Sequence, residues 1–273
     1  MSASNFSQIR AAGIGISYES LSRDYSQSNY SSSRLALLDD RDGYRALRAQ
    51  ELLQKTPIVG RDELLRIKFD EHYAKDSRAA AVKAEVLALP EPTEPALKEA
   101  RRVLSLWDLG AEQKNPHAAI GILTVRRVLT EEYYGKSTPV VAKIFAESAG
   151  WLMQHFGRID VPWGEVNRLR RGALDLPLDG GPDMLRAVYG DLADDGHIHA
   201  TVGDSLIMLV EWPKDGPVRA ESVHQFGAAT LDASSPHYSD QAPLFAARRF
   251  KQSPLEREAV LKSAAKTYRP GRE

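Results

Sequence analysis

The chain has 273 residues, 42% of them hydrophobic and 27% charged, enough apolar material for one larger domain or two small ones. Its 36 Lys and Arg against 37 Asp and Glu leave a net charge of −1, which gives no electrostatic case for nucleic acid or an anionic membrane surface. There is no cysteine, so disulfides and thiolate metal sites are excluded, and no apolar run approaches the roughly 20 residues that a membrane span requires.

Residues 1–41 are rich in Ser, Tyr, Asn and Asp, with the run Ser26-Gln27-Ser28-Asn29-Tyr30-Ser31-Ser32-Ser33, and show no sustained period; they are expected to be a loop-rich segment of disorder-like composition. The start, Met1-Ser2-Ala3-Ser4-Asn5-Phe6, lacks the basic and apolar regions of a signal peptide. Residues 42–162 read as a helical region. Leu97, Ala100, Leu104 and Trp107 recur at helical steps behind Pro90, Pro92 and Pro95. Asn115-Pro116 is a helix-start signal, with Ala118, Ile122, Val125 and Leu129 on one face behind it. Thr138-Pro139 repeats the device ahead of Val141, Phe145, Ala149, Leu152 and Phe156.

The character changes after Pro162, and residues 163–273 read as a β-rich region closed by a terminal helix. Short β-rich runs are expected at Ile198 to Val202, Leu206 to Trp212 and Val218 to Phe226, the last two forming a hairpin across Pro213-Lys214-Asp215-Gly216-Pro217. Helical character is expected from Pro243 to Gln252 and from Ser253 to Lys266, with Leu255, Val260 and Leu261 as apolar contacts. The fold class is α+β: a helical region followed by a small, mostly antiparallel sheet.

Several local patterns invite chemistry and have a plainer reading beside them. Ser235, His237 and Asp240 are the residue types of a hydrolytic triad, but a triad is a geometry and not a string. The expectation is that His237, Tyr238 and Asp240 tie a loop to the sheet through buried hydrogen bonds. His197 and His199 fall on one strand face, a spacing that can bind a metal, although a solvated turn followed by an edge strand is favoured and no metal or cofactor is expected. Gly180-Gly181-Pro182-Asp183 has neither the Lys nor the preceding strand of a phosphate loop and reads as a turn. Arg168, Arg170 and Arg171 read as a solvated basic face paired with acids. Ser2 would gain an α-amine base if Met1 were removed, but an ordinary start and tail is the favoured reading.

Trp163-Gly164-Glu165-Val166-Asn167-Arg168, Leu176-Pro177-Leu178-Asp179-Gly180-Gly181-Pro182-Asp183, Gly203-Asp204-Ser205 and Ser235-Pro236-His237-Tyr238-Ser239-Asp240-Gln241 follow in an order and spacing that resembles the C-terminal part of the β-chain of the penicillin amidase family. That family includes penicillin acylases, cephalosporin acylases and acyl-homoserine-lactone acylases. Tyr44 to Leu53, Asp62 to Asp70 and Leu104 to Asp108 extend the likeness, which covers about residues 42 to 262.

The resemblance implies an N-terminal-nucleophile hydrolase, in which self-cleavage makes a Ser the first residue of the β-chain and its α-amine activates it. It implies a fragment of an αββα fold whose nucleophile lies upstream, with an upstream α-chain and N-terminal β-chain portion as partners and an N-acyl amide as substrate of the complete enzyme. Of the site residues, it implies Asn5 as the oxyanion group and Arg45 as a site organiser. The expected function is amide hydrolysis of the N-acyl-homoserine-lactone or β-lactam side-chain type, inactive without the upstream part. The alternative is a non-catalytic binding or scaffold remnant. A periplasmic or secreted location would follow from an exported precursor, and a cytoplasmic one from expression of this chain alone.

Overall fold

The computed structural model describes residues 45–56, 58–135, 139–229, 231–264 and 266–267. Asn5, Ser2 and Thr138 lie outside them. Two compact units divide the described chain at Asp204 and Ser205.

Among the described residues the first unit opens with a helix over residues 45–54 (α1). It continues through α2 (Arg61–Lys68), α3 (Arg78–Ala88), α4 (Pro95–Leu106), α5 (Ala118–Tyr134), α6 (Val141–Phe156) and the single turn α7 (Trp163–Val166). Local chemistry sets these boundaries. The Ser77 hydroxyl caps α3 by accepting from the Ala80 N–H, and Pro95 opens α4 where its missing N–H costs no bond. Gly135 and Gly157 close α5 and α6 in the left-handed conformation, with φ of 60° and 68°. Every residue from Ala118 to Val125 is buried, so α5 is enclosed on all sides and forms the centre of the helical core. Trp107 lies flat against Gly121, where an added Cβ would stand 2.3 Å from the indole.

The chain then forms β1 (Asn167–Arg171), β2 (Leu174–Pro177), β3 (Val188–Leu192) and β4 (Ile198–Gly203), in the spatial order β2-β1-β4-β3. β1/β2 and β3/β4 are antiparallel and β1/β4 is parallel. The second unit holds β5 (Leu206–Glu211), β6 (Arg219–His224), α8 (Ala242–Ala246), β7 (Lys251–Gln252) and α9 (Arg257–Ser263). Its sheet is antiparallel in the order β5-β6-β7, with β5 at an edge and its register running from Leu206↔His224 to Glu211↔Arg219. Leu206, Met208 and Trp212 are exposed, while Ile207, Ala220, Val223, Ala242 and Phe245 are buried.

The α+β class stands, with two corrections. The strands form two small sheets, one of them mixed, in place of one mostly antiparallel sheet. β1 and β2 escape a hydropathy reading because their charged residues satisfy one another across the hairpin, Arg168 and Arg170 both pairing with Asp175, while Leu169 alone supplies a fully buried apolar contact. The tail is less helical than expected. Arg248 takes a φ of 56°, α8 ends before it, and Lys251–Gln252 pairs with β6. Leu255, Val260 and Leu261 are exposed and not apolar contacts.

Candidate functional site

The polar motif residues of the first unit converge on the loop from Leu178 to Ala187. The Trp163 indole N–H donates to the Gly180 carbonyl at 2.7 Å, and both groups are buried. Gly164 enters the same junction through its N–H, which donates to the Gln113 carbonyl at 2.8 Å. Gly180, at φ +76°, donates to the Ala111 carbonyl, and a Cβ there would lie 2.3 Å from the Arg186 carbonyl. Gly181 N–H donates to that Arg186 carbonyl at 3.2 Å, and the Pro182 carbonyl accepts from the hydroxyl of buried Tyr73 at 2.8 Å. Gly203 crosses so close to Ala187 that a Cβ would meet its carbonyl oxygen at 2.3 Å, and the Asp204 N–H donates to the same oxygen. These glycines therefore serve close backbone approach, the use for which glycine alone is suited.

Charge lines the loop from the inside. Arg186, whose side chain is fully buried, places Nε 3.0 Å from Asp179 Oδ1 and Nη1 3.8 Å from Asp204 Oδ2, with its guanidinium 5.3 Å from the Phe69 ring centroid. Lys68 donates to Asp204 Oδ2 at 2.7 Å and to the Leu185 carbonyl at 2.9 Å. Burial lowers the Lys68 pKa, and the Asp204 charge opposes that shift without cancelling it. Arg48 grips Asp70 through two bonds, Nε to Oδ1 at 2.7 Å and Nη2 to Oδ2 at 2.8 Å, while the Asp70 carbonyl accepts from the Arg186 N–H.

At the rim, the Tyr189 hydroxyl is the hub. It accepts from Arg45 Nη2 at 2.6 Å and from the Asp183 N–H at 3.2 Å, and donates to Asp183 Oδ1 at 2.9 Å. Burial, followed by the Asp183 charge, raises the Tyr189 pKa, which keeps the phenol protonated as a donor. Asp183 holds a left-handed φ of 58° that aims its carboxylate at the hydroxyl. The result is a guanidinium fixed at its inner edge and open to solvent on its outer side, suited to orienting a polar group or stabilising a negative charge.

The Ser235 to Gln241 motif belongs to the second unit and builds a loop there. Ser235 Oγ accepts from the His237 backbone N–H at 3.2 Å, and His237 Nδ1 stands 2.9 Å from Asp240 Oδ2. Pro236 is exposed and Tyr238 half-buried. The His237 side chain is 65% exposed, so the expected buried ties of His237 and Asp240 are corrected to a surface pair. Gln241, 4% exposed, makes the tie to the sheet: its Oε1 accepts from the His224 N–H, and its own N–H donates to the Phe226 carbonyl. Gly227 admits the His237 carbonyl, which would lie 2.1 Å from a Cβ. Ser205 contributes its carbonyl to the Gln225 N–H.

Arg170 accounts for the His197 and His199 pair. Its Nη1 donates to His199 Nε2 at 2.9 Å, its Nη2 lies 3.4 Å from His197 Nδ1, and it pairs with Asp195. A guanidinium thus sits where a cation shared by these imidazoles would sit. Although burial opposes it, the hydrogen bonds of Asp195 to Arg170 and to the histidines hold its carboxyl below the usual range.

Sequence reading included Arg48, Asp70 and Asp179 in its motif stretches without giving them a role, and did not single out Tyr73 or Arg186. A charged residue inside the otherwise apolar run Met184-Leu185-Arg186-Ala187-Val188 was an available signal for a buried ion pair. A further group, His72 on one loop and Asp108 and Glu112 on another, brings ligand atoms within 4.8 Å of one another, a meeting that sequence spacing does not announce.

A segment of 159 residues, 55% of this chain, is 27% identical to the acyl-homoserine lactone acylase PvdQ of Pseudomonas fluorescens and spans 19% of that relative's length. The sequence model of the penicillin amidase family matches residues 15–262, and with most of the chain so covered the protein belongs to the penicillin amidase family.

Proposed function

We propose that this chain is a C-terminal β-chain portion of a penicillin-amidase-like acylase, a piece of an αββα N-terminal-nucleophile hydrolase that cleaves linear amides of the N-acyl-homoserine-lactone or β-lactam side-chain type. The observation that supports this reading is the convergence of Arg45, Trp163, Gly180 to Asp183, Gly203 and Asp204 on one loop, in a chain whose family match runs from residue 15 to 262.

In the complete enzyme an N-terminal Ser, activated by its own α-amine, attacks the amide carbonyl, and the acyl group passes to the serine oxygen as the amine leaves with a proton. The tetrahedral oxyanion is held by an Asn side chain, assigned to Asn5, and by a backbone N–H. Arg45 is a positioning residue: the Tyr189 and Asp183 contacts fix its guanidinium without placing it on the scissile bond. Water then releases the acid. In this reading the upstream α-chain and nucleophile-bearing β-chain portion are the partners.

The test is to sequence the coding DNA upstream of Met1 and to co-express whatever it encodes with this chain. A Gly-Ser-Asn junction, and hydrolysis of an N-acyl-homoserine lactone that requires both polypeptides, is the expected result. A folded, monodisperse chain that gains no amidase activity from the upstream product would favour a binding or scaffold role.

A further inference from the structure

We propose that His72, Asp108 and Glu112 form a binding site for a divalent transition metal, with Zn²⁺ the best match to their chemistry. The site stands apart from the amide-cleaving reading and does not depend on it. His72 follows α2, and Asp108 and Glu112 flank the turn between α4 and α5. The His72 Nε2 atom lies 3.2 Å from Glu112 Oε1 and 3.8 Å from Asp108 Oδ2. One imidazole nitrogen and two carboxylate oxygens about 2.0–2.2 Å from a tetrahedral Zn²⁺ would be spaced by roughly 3.3–3.5 Å, so closing onto an ion needs only small side-chain movements.

The carboxylate oxygens are already sorted into inner and outer ones. Asn115 Nδ2 donates to Asp108 Oδ1 at 3.0 Å and to Glu112 Oε2 at 3.3 Å, while the Gly110 N–H also donates to Asp108 Oδ1. The other oxygen of each carboxylate is left facing the imidazole. Asn115 is itself oriented, because its Oδ1 accepts from the His117 N–H at 3.0 Å. Outer partners that orient the ligands of a metal are part of how such sites work.

The backbone beneath is shaped to admit all three side chains. They close over Gly110, where a Cβ would meet Glu112 Oε2 at 2.4 Å, His72 Nε2 at 2.8 Å and Asp108 Oδ1 at 3.0 Å. Leu109 takes a φ of 73°, an unusual conformation for a branched side chain, to set up this turn. The ligand set is Zn²⁺-like because imidazole favours transition metals, whereas Mg²⁺ and Ca²⁺ favour sites built wholly from oxygen. With the Asp108 side chain 60% and Glu112 38% exposed, a fourth position is open to water.

An ion there would clamp two loops that already meet through the Tyr73 N–H to Leu109 carbonyl and Ala111 N–H to Glu71 carbonyl bonds. Ala111 in turn accepts from Gly180, so the clamp would brace the loop that carries the motif residues.

The experiment titrates the full chain with ZnCl₂ by calorimetry while ¹⁵N NMR follows the imidazole nitrogens. One saturable site that shifts His72 Nε2 is expected. His72→Ala should abolish it, Glu112→Gln should weaken it, and Asn115→Ala should weaken it by about 10–100-fold. The controls His199→Ala and His237→Ala should leave it unchanged. Absence of saturable binding, or binding that survives His72→Ala, or binding that is lost with His199 or His237 in place of His72, would overturn the proposal. If His72→Ala fails to fold, the NMR shift on the unaltered chain decides by itself.

Discussion

The Trp163 indole and the Gly180 carbonyl are joined by a buried hydrogen bond of 2.7 Å that spans from a single helical turn to the loop before β3. Asn167 Nδ2 approaches the same carbonyl only at 3.5 Å, too long to replace the indole. Trp163→Phe keeps most of the ring's packing and deletes the donor. It should cost about 1–3 kcal/mol, the penalty for stranding a buried carbonyl, as read from the urea midpoint.

Neighbouring glycines of the Gly-Gly-Pro motif should respond differently. At Gly180 an added methyl meets backbone at 2.3 Å in a left-handed conformation, whereas at Gly181 its nearest neighbour is Met184 Sδ at 3.5 Å. Gly180→Ala should therefore destabilise by more than about 1–3 kcal/mol, since strain adds to overpacking. Gly181→Ala should fall within about 1 kcal/mol of the parent, either way. Equal thermal shifts for the two variants would contradict this assignment.

Arg186 and Asp179 form an ion pair with the guanidinium fully buried. Asp179→Asn removes the carboxylate charge beside Nε of a fully buried guanidinium, whose Nη1 stands 3.8 Å from Asp204, and should cost about 3–5 kcal/mol. Chemical denaturation of the variant measures it. A loss below 1 kcal/mol would mean that water reaches the guanidinium and that the loop is less closed than described.

Glu63 carries a pH signature. Hydrogen bonds from Arg66 and then Thr56 lower its pKa from 4.5 to about 2 in the folded chain. A depressed folded value means stabilisation that is full above the unfolded pKa of 4.5 and is lost as pH falls through about 2. Glu63→Gln should thus be less stable than the parent at neutral pH, with the difference closing between about pH 4.5 and 2. Thermal melts across that window show whether the two curves converge.

In the complemented enzyme Arg45→Ala should lower kcat/KM by about a hundredfold if fixing the guanidinium sets the geometry of the reacting groups. Tyr189→Phe removes the hub hydroxyl but keeps the ring, and should reproduce a smaller part of the loss. An unchanged kcat/KM in both would remove Arg45 from the site.

Helix positions were legible in the sequence because α4, α5 and α6 carry apolar periods; the proline opens the helix only in α4, while α5 and α6 begin two residues after Pro116 and Pro139, behind His117 and Val140. Leu104 and Leu152 are buried on the faces that the period assigns, whereas the first two turns of α5 are buried all round and Ile122 marks no single face. The β5/β6 hairpin was legible from its turn. Three things were hidden for physical reasons. β1 and β2 are stabilised by cross-strand ion pairs and not by alternation. For the Arg186–Asp179 pair the charge inside an apolar run was a signal, but the partner was not, because it is set by how the loop folds between two residues seven apart in sequence. The position of Gln241, the member of its motif buried against the sheet, is masked by the more reactive-looking Ser235, His237 and Asp240 beside it.

β5 has further consequences for handling the protein. Among the described residues β5 is an edge strand with Leu206 and Met208 exposed on one face, a hydrogen-bonding template and a greasy surface for another extended chain. Self-association by strand-to-strand addition should rise with concentration. A lysine at position 208 would blunt that edge with little effect on the buried face formed by Ile207.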